Sequence, residues 1–191
     1  MKLSAAVLSL FAAGSWAAPR SEPRQFNVLA LSNGTAINYK ILGATQNALV
    51  LNLPDHRVDS QCVDGQPHGP ATFYIQDSEL LLYTPKEDPQ QQAVLVDRSG
   101  MGLGIIQYYN RTDNTPLGGR LETKGWALDE DNNLVFNGIG LTACRASDAD
   151  PTYYVRLDLG IQSPHGYKDC TPFTARAVAA TRPVPCRYST H

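Results

Sequence analysis

One stretch of the chain predicts a complete β-hairpin, Phe73-Tyr74-Ile75-Gln76-Asp77-Ser78-Glu79-Leu80-Leu81-Leu82-Tyr83. Aromatic and aliphatic residues dominate both arms, and the polar pair Asp77-Ser78 is where the chain reverses. A second stretch, residues 126–136, has the same pattern around an acidic and amide-rich turn. Two such segments indicate a fold built from antiparallel strands.

The rest of the chain continues this pattern of short apolar segments separated by glycine, proline, asparagine and aspartate. These segments are rich in the β-branched and aromatic residues that strands prefer. The predicted strands are residues 26–31, 36–42, 48–53, 71–76, 79–83, 93–97, 104–108, 124–129, 134–137, 140–144, 153–159 and 173–179. Outside residues 1–17, no segment has an apolar stripe of helical period and length. The predicted class is all-β.

The likeness between the two hairpins leaves two architectures open. A weak internal repeat of hairpins suits a β-trefoil-like barrel, because repeated hairpins can bury one shared core. A two-sheet β-sandwich accounts for the number of strands almost as well. In either case the sequence predicts a single antiparallel domain over residues 26–191.

The N-terminus predicts a secretory signal peptide, residues 1–17. Lys2 precedes an apolar run, and Ser15 and Ala17 place small residues at the −3 and −1 positions of the cleavage site. The run is shorter than the roughly 20 residues that a membrane-spanning helix needs. Residues 18–25, with two prolines, are expected to form a flexible leader. The C-terminal residues lack an apolar tail, so we expect no glycolipid anchor.

Composition limits the partners of the mature chain. Removing 17 of the 191 residues leaves 174, the size of one domain. Because Lys2 leaves with the signal peptide, 15 basic residues remain against 18 acidic ones, a net charge of −3. This balance provides no basic surface for nucleic acid or for an anionic membrane, and we expect neither as a partner.

A secreted chain enters an oxidising compartment, where its four cysteines are expected to form disulfides. An even number of cysteines in a secreted chain predicts two disulfides, with three possible pairings. We favour Cys144–Cys170, because Cys144 ends one predicted strand and Cys170 follows the return loop of the next; this leaves Cys62–Cys186. Zinc is disfavoured because there is no C-x-x-C pair and the histidines lack ligand spacing. We expect neither a metal nor a cofactor.

Secretion also makes two N-x-T sequons relevant. Asn33 begins Asn33-Gly34-Thr35, and Asn110 begins Asn110-Arg111-Thr112. Both lie in polar, turn-like surroundings, so both are predicted to carry surface N-glycans.

Two other strings resemble ligand-binding loops only in part. Asp129, Asp131 and Asn133 occupy positions 1, 3 and 5 of a calcium loop, but positions 6 and 12 lack the required glycine and glutamate. The string Val96-Asp97-Arg98-Ser99-Gly100-Met101-Gly102-Leu103-Gly104 matches neither phosphate-loop pattern, and no helix follows it. We expect an ordinary hairpin turn at the first string and a connection between strands at the second.

Catalytic patterns are weak. Ser99 lacks the G-x-S-x-G context of a nucleophilic serine, and His165 lies in a Pro-His-Gly turn. A glycosidase needs two facing carboxylates, and the sequence gives no reason to pair any two of Glu79, Asp97, Glu122 and Asp158. We therefore expect no enzyme, and keep a secreted hydrolase as the weaker alternative.

Adjacent tyrosines leave a carbohydrate-binding module open. Tyr108-Tyr109 and Tyr153-Tyr154 place neighbouring rings on opposite faces of a strand, so one ring of each pair could face solvent. A solvent-facing ring could stack on a sugar; the alternative is packing in the core and at an edge. A secreted lectin-like protein is thus the first alternative function.

Several strings, in order along nearly the whole mature chain, resemble one protein family. The most specific is Val96-Asp97-Arg98-Ser99-Gly100-Met101-Gly102. The others are Phe26-Asn27-Val28, Leu51-Asn52-Leu53-Pro54, Ala71-Thr72-Phe73-Tyr74, Gly125-Trp126-Ala127-Leu128-Asp129, Ala143-Cys144, Lys168-Asp169-Cys170 with Phe173, and Pro185-Cys186-Arg187-Tyr188-Ser189. Together they resemble the fungal PhiA family of secreted cell wall proteins.

This resemblance implies a non-enzymatic wall component of a filamentous fungus that acts in phialide and conidium development, the formation of asexual spores. Its implied partners are wall polysaccharides or other wall proteins. The family offers no catalytic residues to carry over, and the cysteine contexts are family-like, which supports disulfides. The leader and residues 55–70 do not match the family pattern.

Overall fold

The computed structural model describes residues 24–87, 90–111 and 120–190. The predicted signal peptide and most of the predicted leader lie outside these residues. The described chain forms fifteen strands: β1 Phe26–Leu31, β2 Gly43–Thr45, β3 Ala48–Leu51, β4 Gln61–Cys62, β5 Phe73–Gln76, β6 Glu79–Leu82, β7 Gln92–Asp97, β8 Ile105–Asn110, β9 Leu121–Glu122, β10 Trp126–Leu128, β11 Leu134–Phe136, β12 Leu141–Arg145, β13 Tyr153–Leu157, β14 Lys168–Ala179 and β15 Cys186–Arg187. Its helical content is two 3-10 turns, Asp55–Arg57 and Pro164–Gly166.

Nine of these strands close into an antiparallel barrel. Their order around the wall is β3-β8-β7-β6-β5-β1-β14-β12-β13, and β13 pairs again with β3 to complete the circle. Strand β2 extends the wall beside β3, and β9 extends it beside β7. The all-β prediction and the barrel are confirmed, because one sheet closes on itself instead of dividing into a two-sheet sandwich.

The two predicted hairpins occupy different positions. The first, β5–β6, is part of the barrel wall. The second, β10–β11, is a two-stranded ribbon that is not part of the barrel wall and packs its Trp126 and Phe136 side chains into the core. The Trp126 N–H donates to the Ser78 carbonyl (3.0 Å), and the Ala177 N–H donates to the Asn132 carbonyl (2.9 Å). The similar sequences of the hairpins therefore do not mark equivalent places in the fold.

The barrel core follows from alternation along the strands. In β1, Phe26, Val28 and Ala30 are buried, and the residues between them are half-buried. Alternate residues of a strand point to opposite faces, so every second position of β1 faces the interior. The largest fully buried side chains are Trp126, Tyr108, Phe73, Phe136, Ile37, Leu42, Leu49, Leu51, Leu80, Leu81, Leu82 and Ile106.

The predicted strand at residues 36–42 is wrong. The chain turns there instead: the Ser32 N–H donates to Asn38 Oδ1 (3.0 Å), and the Tyr39 N–H donates to the Ala30 carbonyl (2.8 Å). Tyr39 has a left-handed backbone with a φ of 59°, which a strand does not contain. The apolar residue that suggested a strand, Ile37, is buried in the core from within this turn.

Four strands escaped prediction because they are too short to show a pattern. β2, β4, β9 and β15 have two or three residues each, and only their pairing partners define them as strands.

Two disulfides are present, as predicted for an oxidising compartment. Cys62–Cys186 links the paired strands β4 and β15, and Cys144–Cys170 links β12 to β14. These are the pairings favoured from the sequence. No described helix combines the length and apolar character needed to cross a membrane.

Candidate functional site

The glycine-rich string forms a tight connection between β7 and β8. Asp97 Oδ1 accepts the Ser99 N–H (2.8 Å), Ser99 Oγ accepts the Gly102 N–H (3.1 Å), and the Gly104 N–H donates to the Asp97 carbonyl (2.9 Å). A Cβ at Gly102 would lie 2.1 Å from Asp97 Cγ, so this position has no space for a side chain. The N–H groups of Ser99, Gly102 and Gly104 are thus used to close the loop and are not directed at a phosphate.

His165 is held in place by both of its ring nitrogens. The buried Arg156 donates from Nη2 to His165 Nδ1 (2.5 Å) and to the Gly102 carbonyl (3.3 Å), and His165 Nε2 lies 2.5 Å from the Met101 carbonyl. Because a guanidinium can only donate, Nδ1 accepts and Nε2 carries the proton. No ring nitrogen is left to act as a base toward Ser99, so these residues do not form a catalytic triad.

Arg156 is an unusual buried cation. It is 2% exposed, its Nε has no hydrogen-bond partner in the described part of the chain, and its guanidinium carbon lies 5.2 Å from the ring centre of Tyr167. Burial lowers the pKa of Arg156, and the electrostatic interaction with Tyr167 opposes that shift. The residue ties the loop 97–104 to the turn around His165.

The four candidate carboxylates each have a local structural partner. Arg98 forms a bidentate ion pair with Glu122 (2.7 and 2.6 Å) and holds the pKa of that carboxyl below its usual value. Glu79 pairs with Arg111, and Asp158 accepts the Gly160 N–H (3.1 Å). Asp97 organises the glycine-rich loop, as described above. These contacts account for the carboxylates without an acid and base pair.

The predicted turn at residues 129–133 is held by hydrogen bonds between its own residues. Asp129 Oδ1 accepts the N–H groups of Asp131 (3.0 Å) and Asn133 (2.7 Å), and Oδ2 accepts from Asn133 Nδ2 (3.0 Å). The bonds from Asn133 lower the pKa of Asp129. Its oxygens are therefore turned toward its own backbone, as in an Asx turn.

One group of potential metal ligands is found among the described residues. Ligand atoms of Cys62, Asp64 and His68 lie within 4.8 Å of one another. The sulfur of Cys62 is bonded to Cys186, so it cannot serve as a thiolate, and His68 Nε2 instead lies 2.7 Å from Asp64 Oδ2. This donor set does not fit zinc.

Three of the four paired tyrosines are engaged by neighbouring residues, and the fourth, Tyr109, is half-buried in β8. Tyr108 is fully buried, its hydroxyl donates to the Ser189 carbonyl, and burial raises its pKa. Tyr154 packs edge-on against Tyr167 with ring centres 5.6 Å apart, and Arg145 lies 5.8 Å from the ring centre of Tyr153. All three rings are committed to packing.

Among residues 24–87, 90–111 and 120–190, the exposed aromatic ring is that of Tyr39, in the segment where the sequence predicted a strand. Its side chain is 68% exposed, and the half-exposed Ile41 lies close to it. The two residues line a groove of about 490 Å³, here called the Tyr39 groove, with Lys40, Gly43, Asn52, Leu53, Asp55, Val58, Pro67, Gly69 and Pro70. Part of the wall comes from residues 55–70. Sequence reasoning missed the groove because it assigned Tyr39 to a strand.

The two sequons differ in accessibility. Asn33 is exposed in the turn after β1. Asn110 is only 5% exposed; its Oδ1 accepts from Gln92 Nε2 (3.1 Å), and its Nδ2, the atom that would carry a glycan, faces Thr190 Oγ1 (3.4 Å). The structure thus favours Asn33 over Asn110 as an acceptor.

Comparison with known proteins identifies one family. The PhiA-like secreted protein family matches residues 26–189. Cell wall protein phiA of Emericella nidulans is 39% identical over 190 residues, covering 99% of this chain and 100% of the relative. Its counterpart in Arthroderma benhamiae is 37% identical over 191 residues (99% and 100%), and that in Aspergillus fumigatus is 34% identical over 187 residues (98% and 96%). No solved structure matches. The chain therefore belongs to the PhiA-like secreted proteins, and it is a secreted protein of the cell wall.

Proposed function

We propose that this protein is a non-enzymatic wall component that acts in phialide and conidium development, and that it binds wall polysaccharide through the Tyr39 groove. The observation that carries the binding proposal is the exposed Tyr39 ring at the edge of a concave surface. Exposed aromatic rings are binding features when they border a groove with a few polar groups.

The backbone of Tyr39 supports a binding role. A left-handed conformation is unfavourable for a bulky residue, and such strain concentrates at binding sites. The hydrogen bond from the Tyr39 N–H to the Ala30 carbonyl fixes the backbone, so the ring is attached to a rigid part of the chain. A rigid aromatic binds a ligand with little loss of conformational entropy.

The composition of the groove favours a neutral sugar polymer. Ile41, Pro67 and Pro70 add apolar surface beside the ring, and Lys40 and Asp55 add one charge of each sign. A pyranose has an apolar face that can pack on such a surface and hydroxyl groups that can bond to the polar rim. A β-linked wall glucan or chitin therefore fits the groove.

The non-enzymatic part of the proposal rests on the occupied polar groups described above. His165 has both ring nitrogens engaged, and Glu122 is neutralised by Arg98. Hydrolysis of a purified wall polymer by the protein, lost on changing one of Asp97, Glu122 or Asp158 to the amide, would overturn it.

Tyr39→Ala is expected to weaken binding to the polysaccharide about tenfold, because the ring supplies the main apolar contact of the groove. The measurement is co-sedimentation with purified insoluble β-glucan and chitin, competed by short oligosaccharides of the same linkage. Met101→Ala is the matched control, because Met101 is also exposed but lies outside the groove. Failure of the unaltered protein to bind either polymer, or equal binding by both variants, would contradict the groove assignment.

The developmental role is tested by deleting the gene and counting conidia. Deletion is expected to reduce conidium formation, and the wild-type gene should restore it. Wall and medium fractions should then be compared between strains carrying wild type and Tyr39→Ala. Normal sporulation in the deletion strain would contradict the developmental role, whereas normal sporulation with Tyr39→Ala alone would leave that role intact and remove the groove from it.

We also propose that Asn33 carries an N-glycan and that Asn110 does not. Asn33→Gln is expected to lower the intact mass of the secreted protein by one glycan, since Asn33 is exposed, whereas Asn110→Gln should change it only by the residue difference. Removal of whole N-glycans with an amidase before mass measurement should reduce the difference to that of the residues. A glycan mapped to Asn110 would contradict this assignment.

A further inference from the structure

A second groove lies between the β10–β11 ribbon and the barrel. It has a volume of about 510 Å³ and is here called the arginine groove. Its lining residues are Arg24, Phe26, Ile75, Ser78, Trp126, Ala127, Leu128, Asn132, Arg176, Ala177 and Ala179. None of them belongs to the Tyr39 groove. Two arginines and no acidic residue line it, so its charge is positive on a protein whose net charge is negative.

Neither arginine is neutralised within the described residues. Arg176 donates from Nε to Asn133 Oδ1 (2.9 Å), a neutral acceptor, and no ion pair of Arg24 or Arg176 occurs in residues 24–87, 90–111 and 120–190. Asp129 is near enough for Arg176 to contribute to its lowered pKa, but its oxygens are taken by its own turn. The two cations are available to an external anion.

Trp126 provides an independent sign of a missing partner. The residue lines the groove and is 1% exposed, yet its indole Nε1 has no hydrogen-bond acceptor among the described residues. A buried donor without an acceptor costs about 1–3 kcal/mol, so an acceptor at this place would be favoured. Phe26, Ile75 and Ala177 add apolar surface to the same groove.

We propose that the arginine groove binds a carboxylate-bearing sugar, a uronic acid residue of an acidic polysaccharide. The carboxylate matches the fork geometry of an arginine, and the sugar ring matches the apolar surface. A single negative charge suits this surface better than a phosphate dianion, because desolvating a second charge beside apolar residues is costly. The site is separate from the Tyr39 groove, so either can fail without the other.

Trp126 makes the groove directly measurable. The chain has two tryptophans, and the other, Trp16, lies in the predicted signal peptide, so Trp126 is the only one expected in the secreted protein. Titration with oligogalacturonate is expected to change Trp126 fluorescence saturably, and a neutral oligosaccharide of equal length should not. The affinity for oligogalacturonate should fall as salt rises, because exposed charges are screened.

The charge of the groove is tested with a double substitution. Arg24→Gln with Arg176→Gln is expected to weaken binding at least about tenfold, because it removes both charge-assisted donors. Arg182→Gln is the control, an exposed arginine outside the groove, and should leave the affinity within about twofold. Since Arg176 also bonds to Asn133, the single variant Arg24→Gln provides a second test that leaves this bond in place.

Any one of the following outcomes would overturn the proposal: no fluorescence change and no calorimetric binding with oligogalacturonate, equal binding of the neutral oligosaccharide, or equal loss in the groove variants and Arg182→Gln. Preferential binding of a sugar phosphate would assign the groove to a different anion and would also overturn it. Measuring the same titrations on Tyr39→Ala separates the two grooves, because that variant should bind oligogalacturonate like the wild type.

Discussion

Replacing Cys62 and Cys186 together with alanine is expected to lower the free energy of unfolding by about 5 kcal/mol. The bond joins residues separated by 124 positions, so its loss frees a long loop in the unfolded chain. The native tail has other attachments: Gln92 Nε2 donates to the Tyr188 carbonyl (2.8 Å), and the Tyr188 N–H donates to Gln92 Oε1 (2.9 Å). The effect should therefore act mainly through the entropy of the unfolded state.

The second disulfide provides the matched comparison. Cys144→Ala with Cys170→Ala opens a loop of only 26 positions, for which the same relation gives about 3.5 kcal/mol. Urea unfolding of both double variants and the wild type, followed by far-UV circular dichroism, measures the difference. A smaller loss for Cys62/Cys186 than for Cys144/Cys170 would contradict the loop-entropy argument and place the stabilisation in native contacts.

The strands were predictable where apolar, β-branched and aromatic residues form a local segment bounded by turn residues. β1 matches its predicted bounds because Phe26, Val28 and Ala30 alternate with half-buried residues over its whole length. Short strands such as β4 and β15 exist only because they pair with each other, and a local pattern cannot reveal that. The same limit produced the error at residues 36–42, where tertiary hydrogen bonds to Ala30 decide the conformation.

The candidate sites are formed by residues that are far apart in the sequence and meet only in the folded protein. The sequence located the glycine-rich loop 97–104 and predicted its structural role from the absence of a phosphate-loop pattern. It could not anticipate that Arg156 and His165 would meet this loop, because 54 positions separate Arg156 from its partner Gly102. The grooves have the same origin: Arg24, Trp126 and Arg176 are brought together only when the ribbon packs on the barrel.

Arg156→Ala is expected to lower the free energy of unfolding by about 3–4 kcal/mol, whereas Arg156→Met should change it by less than about 1 kcal/mol. Alanine leaves a cavity and removes the donor to His165 Nδ1 and to the Gly102 carbonyl. Methionine also removes the donor, but it fills most of the space and ends the cost of burying a cation that has no carboxylate partner among the described residues.

The two variants separate packing from hydrogen bonding because both lose the same donors. Urea unfolding should give equal m-values with different midpoints, the methionine variant lying close to the wild type. Equal losses for alanine and methionine would instead mean that the bonds to His165 and Gly102 carry the stability of this region. In that case the hydrogen bonds of Arg156 would stabilise the protein by more than the burial of its charge destabilises it. The loop 97–104 should then show faster hydrogen exchange in both variants.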